Sequence, residues 1–126
     1  LYKDKRTKEA INQLNEILNS VSFKDYFHEN TDIKLTLAFF YLTVKDYDLV
    51  EITLKSVSRK IKSESPDKYG HVLNLIKVFD TEMSANGSAK GIAKCRDLFT
   101  LFIANNTRCN EILTHLIPEL KKRYHN

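Results

Sequence analysis

The sequence is poor in residues that interrupt regular structure: 126 residues hold three Gly and two Pro. An all-β fold spends such residues at its many turns, so their scarcity excludes that class and points to long helices. It has no Trp, one Met and two Cys. Cys95 and Cys109 lie 14 residues apart in the sequence, without the Cys-x-x-Cys spacing of metal or redox sites. Two buried free thiols are the expectation, ahead of a disulfide. No run of 18 apolar residues exists, which excludes a transmembrane helix. The polar start from Leu1 to Glu9 has no apolar segment behind it and is not a secretory signal. We therefore expect a cytoplasmic protein. Because the chain opens on Leu1 rather than Met, residues 1–126 are expected to be the C-terminal fragment of a longer protein.

What is present fits one soluble domain: 42% of residues are hydrophobic and 29% charged. The net charge of +4 comes from 20 Lys and Arg against 16 Asp and Glu, interspersed rather than gathered into one stripe. A nucleic-acid binder concentrates its excess, so the charge is assigned mainly to solubility. Asn86-Gly87-Ser88 and Asn105-Asn106-Thr107 match the glycosylation pattern, which arises often by chance in a chain rich in Asn and Ser.

Hydrophobic spacing predicts six helices in an all-α fold. Ala10, Leu14, Ile17, Leu18 and Val21 give the first, over 7–20, after the charged run Lys3 to Lys8. Residues 21–31 carry Phe23, Tyr26 and Phe27 and are expected to be a connection docked through its aromatics. Thr31 then caps a second helix with Asp32 in its first turn, running to about Val44 and apolar on nearly all sides. After Lys45-Asp46-Tyr47-Asp48, the residues Val50, Leu54, Val57 and Ile61 define one face of a third helix, with acids at its start and bases at its end. Ser65-Pro66-Asp67 starts a fourth, with Tyr69, Val72, Leu73, Ile76, Phe79 and Met83 on one side, and Asn86-Gly87 ends it. Ser88 caps the fifth, whose stripe is Ile92, Cys95, Leu98, Phe99 and Phe102. A sixth stripe, Cys109, Ile112, Leu113, Leu116, Leu120 and Tyr124, is predicted to be one helix kinked at Pro118. Helices of this length with short connections make antiparallel hairpins.

The second helix, the break and the third helix span about 32 residues, the length of a tetratricopeptide unit. Leu37-Ala38 stand where such repeats place Leu and a small residue, Tyr41 falls at the aromatic slot, and Asp46-Tyr47-Asp48 matches the turn. Val50, Leu54 and Val57 fill the packing slots of the second helix of the pair. Lys8-Glu9-Ala10 with Leu14 and Ile17 resembles the second helix of a preceding unit. Val50 replaces the usual Ala, Lys34 stands where Trp is common, the closing Pro comes late at Pro66, and the interval from Ala10 to Val50 is 40 residues rather than 34. With these departures, the chain resembles the tetratricopeptide-like C-terminal helical-repeat regions of bacterial proteins. The resemblance implies a right-handed α-α superhelix of helix pairs and a concave face that binds a peptide or another protein. The first helix of each pair would line that face. The slots that hold Lys and Asn in carboxylate-gripping members are Leu35 and Phe39 here, so a carboxylate clamp is not expected. Leu35, Phe39 and Leu42 become candidate partner-binding residues, with packing on a neighbouring helix pair as the alternative and the favoured one.

No constellation of catalytic residues is visible, and an enzyme is not expected. His28, His71, His115 and His125 are far apart and outside any zinc pattern. Glu16, Asp32, Asp46, Asp48 and Glu51 could pair as carboxylates, but helix starts and a turn account for them. Gly70, Gly87 and Gly91 are isolated and make no phosphate-cradling loop. No cofactor or metal is therefore assigned. Lys55, Arg59 and Lys62 share a helix face and form a candidate basic surface; Lys121, Lys122 and Arg123 form a second cluster. Phosphate binding is one use of them, and a solvated face is the plainer one. The first functional expectation is a scaffold that contacts another protein, a peptide or the upstream part of its own chain. The alternative is a ligand-binding or dimerisation region of a nucleic-acid-associated regulator. A third is a cap on a longer repeat stack.

Overall fold

A computed structural model describes residues 2–20, 26–64, 66–85, 87–107 and 111–124; for residues 2–4 and 20 it describes the backbone alone. Leu1, Val21, Phe23, Ser65, Asn86, Cys109 and His125, all used above, lie outside the described residues. The described residues form six helices: α1 (Tyr2–Ser20), α2 (Phe27–Thr43), α3 (Tyr47–Glu64), α4 (Pro66–Ala85), α5 (Ala89–Asn106) and α6 (Ile117–Tyr124). There is no strand among the described residues, so the fold is all-α as the composition required. Contacts cluster into two compact units, Leu1–Val57 and Ser58–Asn126, and the division falls inside α3.

In the first unit α1 packs on α2. The α2 helix starts at Phe27, four residues before the predicted cap, and Thr31 is a buried residue inside it. Its cap is Tyr26, whose carbonyl accepts from the amide of Asn30 at 3.0 Å without any side-chain bond. An apolar helix that is buried on most sides recovers more from packing than from its cap, which explains the earlier start. Its end is sharply specified. The amide of Asp46 donates to the Tyr41 carbonyl (2.9 Å) and that of Lys45 to the Leu42 carbonyl (3.1 Å), with Lys45 at φ 63°. This is a Schellman ending with a lysine where glycine is usual. Lys34 donates to Ser56 Oγ at 3.0 Å and ties α2 to α3. The predicted α3 residues Val50, Leu54, Val57 and Ile61 are all buried.

In the second unit α4 packs along α5, and α5 contacts α6. Gly91 sets the distance between α4 and α5, because a Cβ there would collide with Cβ of Ala85. The buried stripe of α5 is therefore Gly91, Cys95, Phe99, Phe102 and Asn106. Ile92 was expected in that stripe and is instead 54% exposed. A glycine that occupies the contact position turns its larger neighbour outward. The core continues through an aromatic cluster in which the ring of Phe99 lies 6.1 Å from Phe102 and 5.4 Å from Tyr124, and Phe79 lies 6.4 Å from Tyr124.

The predicted sixth helix is corrected in length. Residues 111–113 are not helical, 114–116 form turns, and only Ile117–Tyr124 is helical. Leu113 sits at φ 59°, which no continuing helix allows. Pro118 falls in the first turn, where its missing N–H is not needed, so it starts a helix instead of kinking one. The side chains were nevertheless assigned correctly: Ile112, Leu113, Leu116, Leu120 and Tyr124 are all buried.

Candidate functional site

The predicted partner-binding residues Leu35, Phe39 and Leu42 are 0%, 7% and 1% exposed, so in this conformation they lie in the interior of the first unit. This is the packing position of a helix apolar on all sides. Lys55, Arg59 and Lys62 are exposed on α3, as are Lys121 and Lys122 on α6. Arg123 is committed elsewhere: its Nε and Nη2 donate to the two carboxylate oxygens of Glu82, each at 2.8 Å. That pairing is the main reason its guanidinium is held charged even more firmly than usual.

The accessible apolar surface of the first unit lies on other residues. No described side chain of α1 is fully buried: Ala10, Ile11, Leu14 and Leu18 are half-buried and Ile17 is exposed. An open groove of about 400 Å³ runs beside this helix. It is lined by Lys8, Ile11, Asn12 and Asn15 of α1, Tyr41 of α2, Val44 and Asp46 of the connection that follows, and Leu49 of α3. The helix places Lys8, Asn12 and Asn15 on a single face at spacings of four and three. Asn15 Nδ2 donates to the Tyr41 hydroxyl oxygen at 3.1 Å, which fixes the Asn15 amide and leaves Asn12 exposed one turn earlier. Tyr47, Leu49 and Ile52 continue the apolar surface onto α3, and Ile52 is 64% exposed. Such a groove offers apolar contact from Ile11, Val44 and Leu49, an amide donor and acceptor from Asn12, and one charge of each sign, Lys8 and Asp46. Sequence periodicity identified an α1 stripe through Ala10, Leu14, Ile17 and Leu18, but not Ile11, which lines the groove. It could not show that this stripe stays open while the α2 candidates are closed, because that depends on how much of each face a neighbour covers.

A second feature, missed in the sequence, is a buried polar network in the second unit. Asn106 is 2% exposed, and its amide closes on the backbone of Ile112 twice. Nδ2 donates to the Ile112 carbonyl at 3.0 Å and the Ile112 amide donates to Oδ1 at 2.9 Å. These two bonds fix the amide orientation, so the 3.1 Å contact between Oδ1 and His71 Nε2 requires the proton to sit on Nε2. The His71 ring lies nearly parallel to those of Tyr69 and Phe102, with centroids 6.4 Å and 6.0 Å away. This explains both residues structurally: Asn106 ends α5 and holds the backbone of Ile112, and His71 supports Asn106. Of the other histidines, His28 is half-buried and His115 exposed.

Cys95 is a buried free thiol that donates to the Val78 carbonyl at 3.5 Å. Burial pushes its pKa up, with Glu82 adding to the effect, so it is held as the unreactive thiol. Glu16, Asp46, Asp48 and Glu51 are exposed and Asp32 is half-buried. No group of three or more His, Cys, Asp or Glu side chains that could hold a metal ion occurs among the described residues. No described helix is long and apolar enough to cross a membrane. Comparison with protein-family models, with curated proteins and with solved structures gives no match to this chain.

Proposed function

We propose that this chain is a tetratricopeptide-like interaction module that docks a peptide or another protein, with a binding role rather than a catalytic one. The observation that carries the reading is the open groove beside α1, next to apolar residues that the first unit leaves accessible. An extended or helical segment could place an apolar side chain against Ile11, Val44 and Leu49 and meet the Asn12 amide with its main chain. Leu35, Phe39 and Leu42, candidates for partner binding with packing as the favoured expectation, lie in the core, and the binding role is proposed for this groove instead. The test is selection of binding peptides from a displayed library, followed by affinity measurement on variants. Leu49→Arg should lower affinity by about tenfold or more, the order expected when one buried apolar contact is lost. Leu101→Asp, in the second unit, should leave it unchanged. Equal affinity in the Leu49 variant, with helical content preserved, would refute the groove.

A second reading rests on the exposure of Lys55, Arg59 and Lys62. If these residues bind nucleic acid, affinity falls steeply between about 50 and 200 mM salt and disappears when the three charges are reversed. Binding that is indifferent to both changes excludes the regulator reading.

A further inference from the structure

Where α4 turns into α5 two glycines remove side-chain volume. Gly87 occupies the turn at φ 82°, with nothing within 4 Å of where its Cβ would stand, and Gly91 lets the helices approach. Beneath them is a cavity of about 180 Å³. Its walls are Ala85, Ile92, Cys95, Tyr124 and the paired side chains of Glu82 and Arg123. The mouth reaches solvent, since Ile92 is 54% exposed and the ion pair about one-third exposed (35% and 27%). The volume slightly exceeds that of apolar cavities of about 150 Å³ that accept a benzene ring.

We propose that this cavity is a binding site for a compact, neutral, largely apolar molecule of about the size of one aromatic ring. The inference concerns the second unit and stands independently of the groove reading. Three observations define the ligand class. The volume matches one ring and falls short of the pockets of about 300 Å³ or more that enclose larger ligands. The side chains that could bind a charged group are engaged: Glu82 and Arg123 hold each other through two bonds, and the Cys95 thiol donates to the Val78 carbonyl. An anion is also opposed by desolvation, because burial is the largest cause that raises the pKa of both Cys95 and Tyr124, and so disfavours negative charge at this wall. What remains for contact is the aliphatic surface of Ala85 and Ile92, the Cys95 sulfur and the Tyr124 side chain, which suit a neutral ring.

The experiment is titration of the isotope-labelled chain with phenol and with benzoate, two rings of similar size that differ in charge at neutral pH. Phenol should give saturable shifts at Ala85, Ile92 and Tyr124. Benzoate should bind at least about tenfold more weakly. Ile92→Trp, at an exposed position that tolerates a larger side chain, should fill the mouth and abolish the phenol shifts while circular dichroism is unchanged. Absence of saturable shifts with phenol, equal affinity for benzoate, or binding that survives the Trp substitution would each overturn the site.

Discussion

Replacement of Asn106 by Ala removes both bonds to the Ile112 backbone and the bond from His71 at once. The site is 2% exposed and Ile112 is fully buried, so water cannot simply replace the lost amide. A buried polar group left without its partner costs about 1–3 kcal/mol, and Asn106→Ala strands the Ile112 N–H, the Ile112 carbonyl and the His71 Nε2 proton. With partial relaxation the expected destabilisation is about 3–5 kcal/mol, a large share of the stability of a domain of this size. Asn105→Ala is the internal control. That side chain bonds only to the Leu101 carbonyl of its own helix, at 2.9 Å, and is half-buried, so its loss should cost no more than about 0.5 kcal/mol. Urea unfolding followed by circular dichroism measures both. Amide exchange at Ile112 gives a local readout, slow in the parent chain and fast in the variant. An Asn106→Ala variant within about 1 kcal/mol of the parent, with Ile112 still protected, would refute the network account.

Other substitutions probe separate parts of the fold. Lys45→Gly should stabilise the first unit by about 0.5–1 kcal/mol, because Lys45 is exposed at φ 63° and glycine adopts that conformation without the Cβ penalty; thermal unfolding checks the sign. Gly91→Ala should destabilise by about 1–3 kcal/mol through collision with Ala85, and Ala85→Gly in the same chain should restore most of the loss. Ser88→Ala should cost about 1 kcal/mol, because Ser88 Oγ accepts from the Gly91 amide at 3.1 Å at the start of α5. Stability should also fall in alkali. Burial raises the pKa of both Tyr124 and Cys95, so the folded chain retains protons that the unfolded chain releases above about pH 8.5 for the thiol and pH 10 for the phenol. Stability from these groups is therefore complete below those values and declines above them. Tyr124→Phe should flatten the upper part of that decline in unfolding measured against pH.

The six-helix all-α fold was legible because the apolar residues of this chain fall at helical spacing with few interruptions. The α3 face from Val50 to Ile61 shows how far this goes, since every predicted position is buried. The same reasoning failed where tertiary contacts overrule periodicity. Ile112 and Leu113 have the spacing of a helix and are buried like one, yet Asn106 captures the Ile112 backbone and Leu113 turns left-handed. Ile92 continues a helical stripe but is displaced from it by the Gly91 contact. The groove was harder still. Its residues come from α1, the end of α2 and the turn into α3, and apart from the buried Tyr41 each alone is a half-buried or exposed residue of no special character. The sequence drew attention to Leu35, Phe39 and Leu42 because they are apolar at a recognition slot, and apolar character alone does not separate a groove from a core.

The central claim, that the first unit binds a peptide or protein segment in the groove beside α1, is tested most directly by chemical-shift mapping with a selected peptide on the full chain. The account predicts saturable perturbations centred on Ile11, Asn12, Val44 and Leu49, with little change when salt is raised. Perturbations centred on Lys55, Arg59 and Lys62 that vanish with salt, or none at the groove, would contradict it.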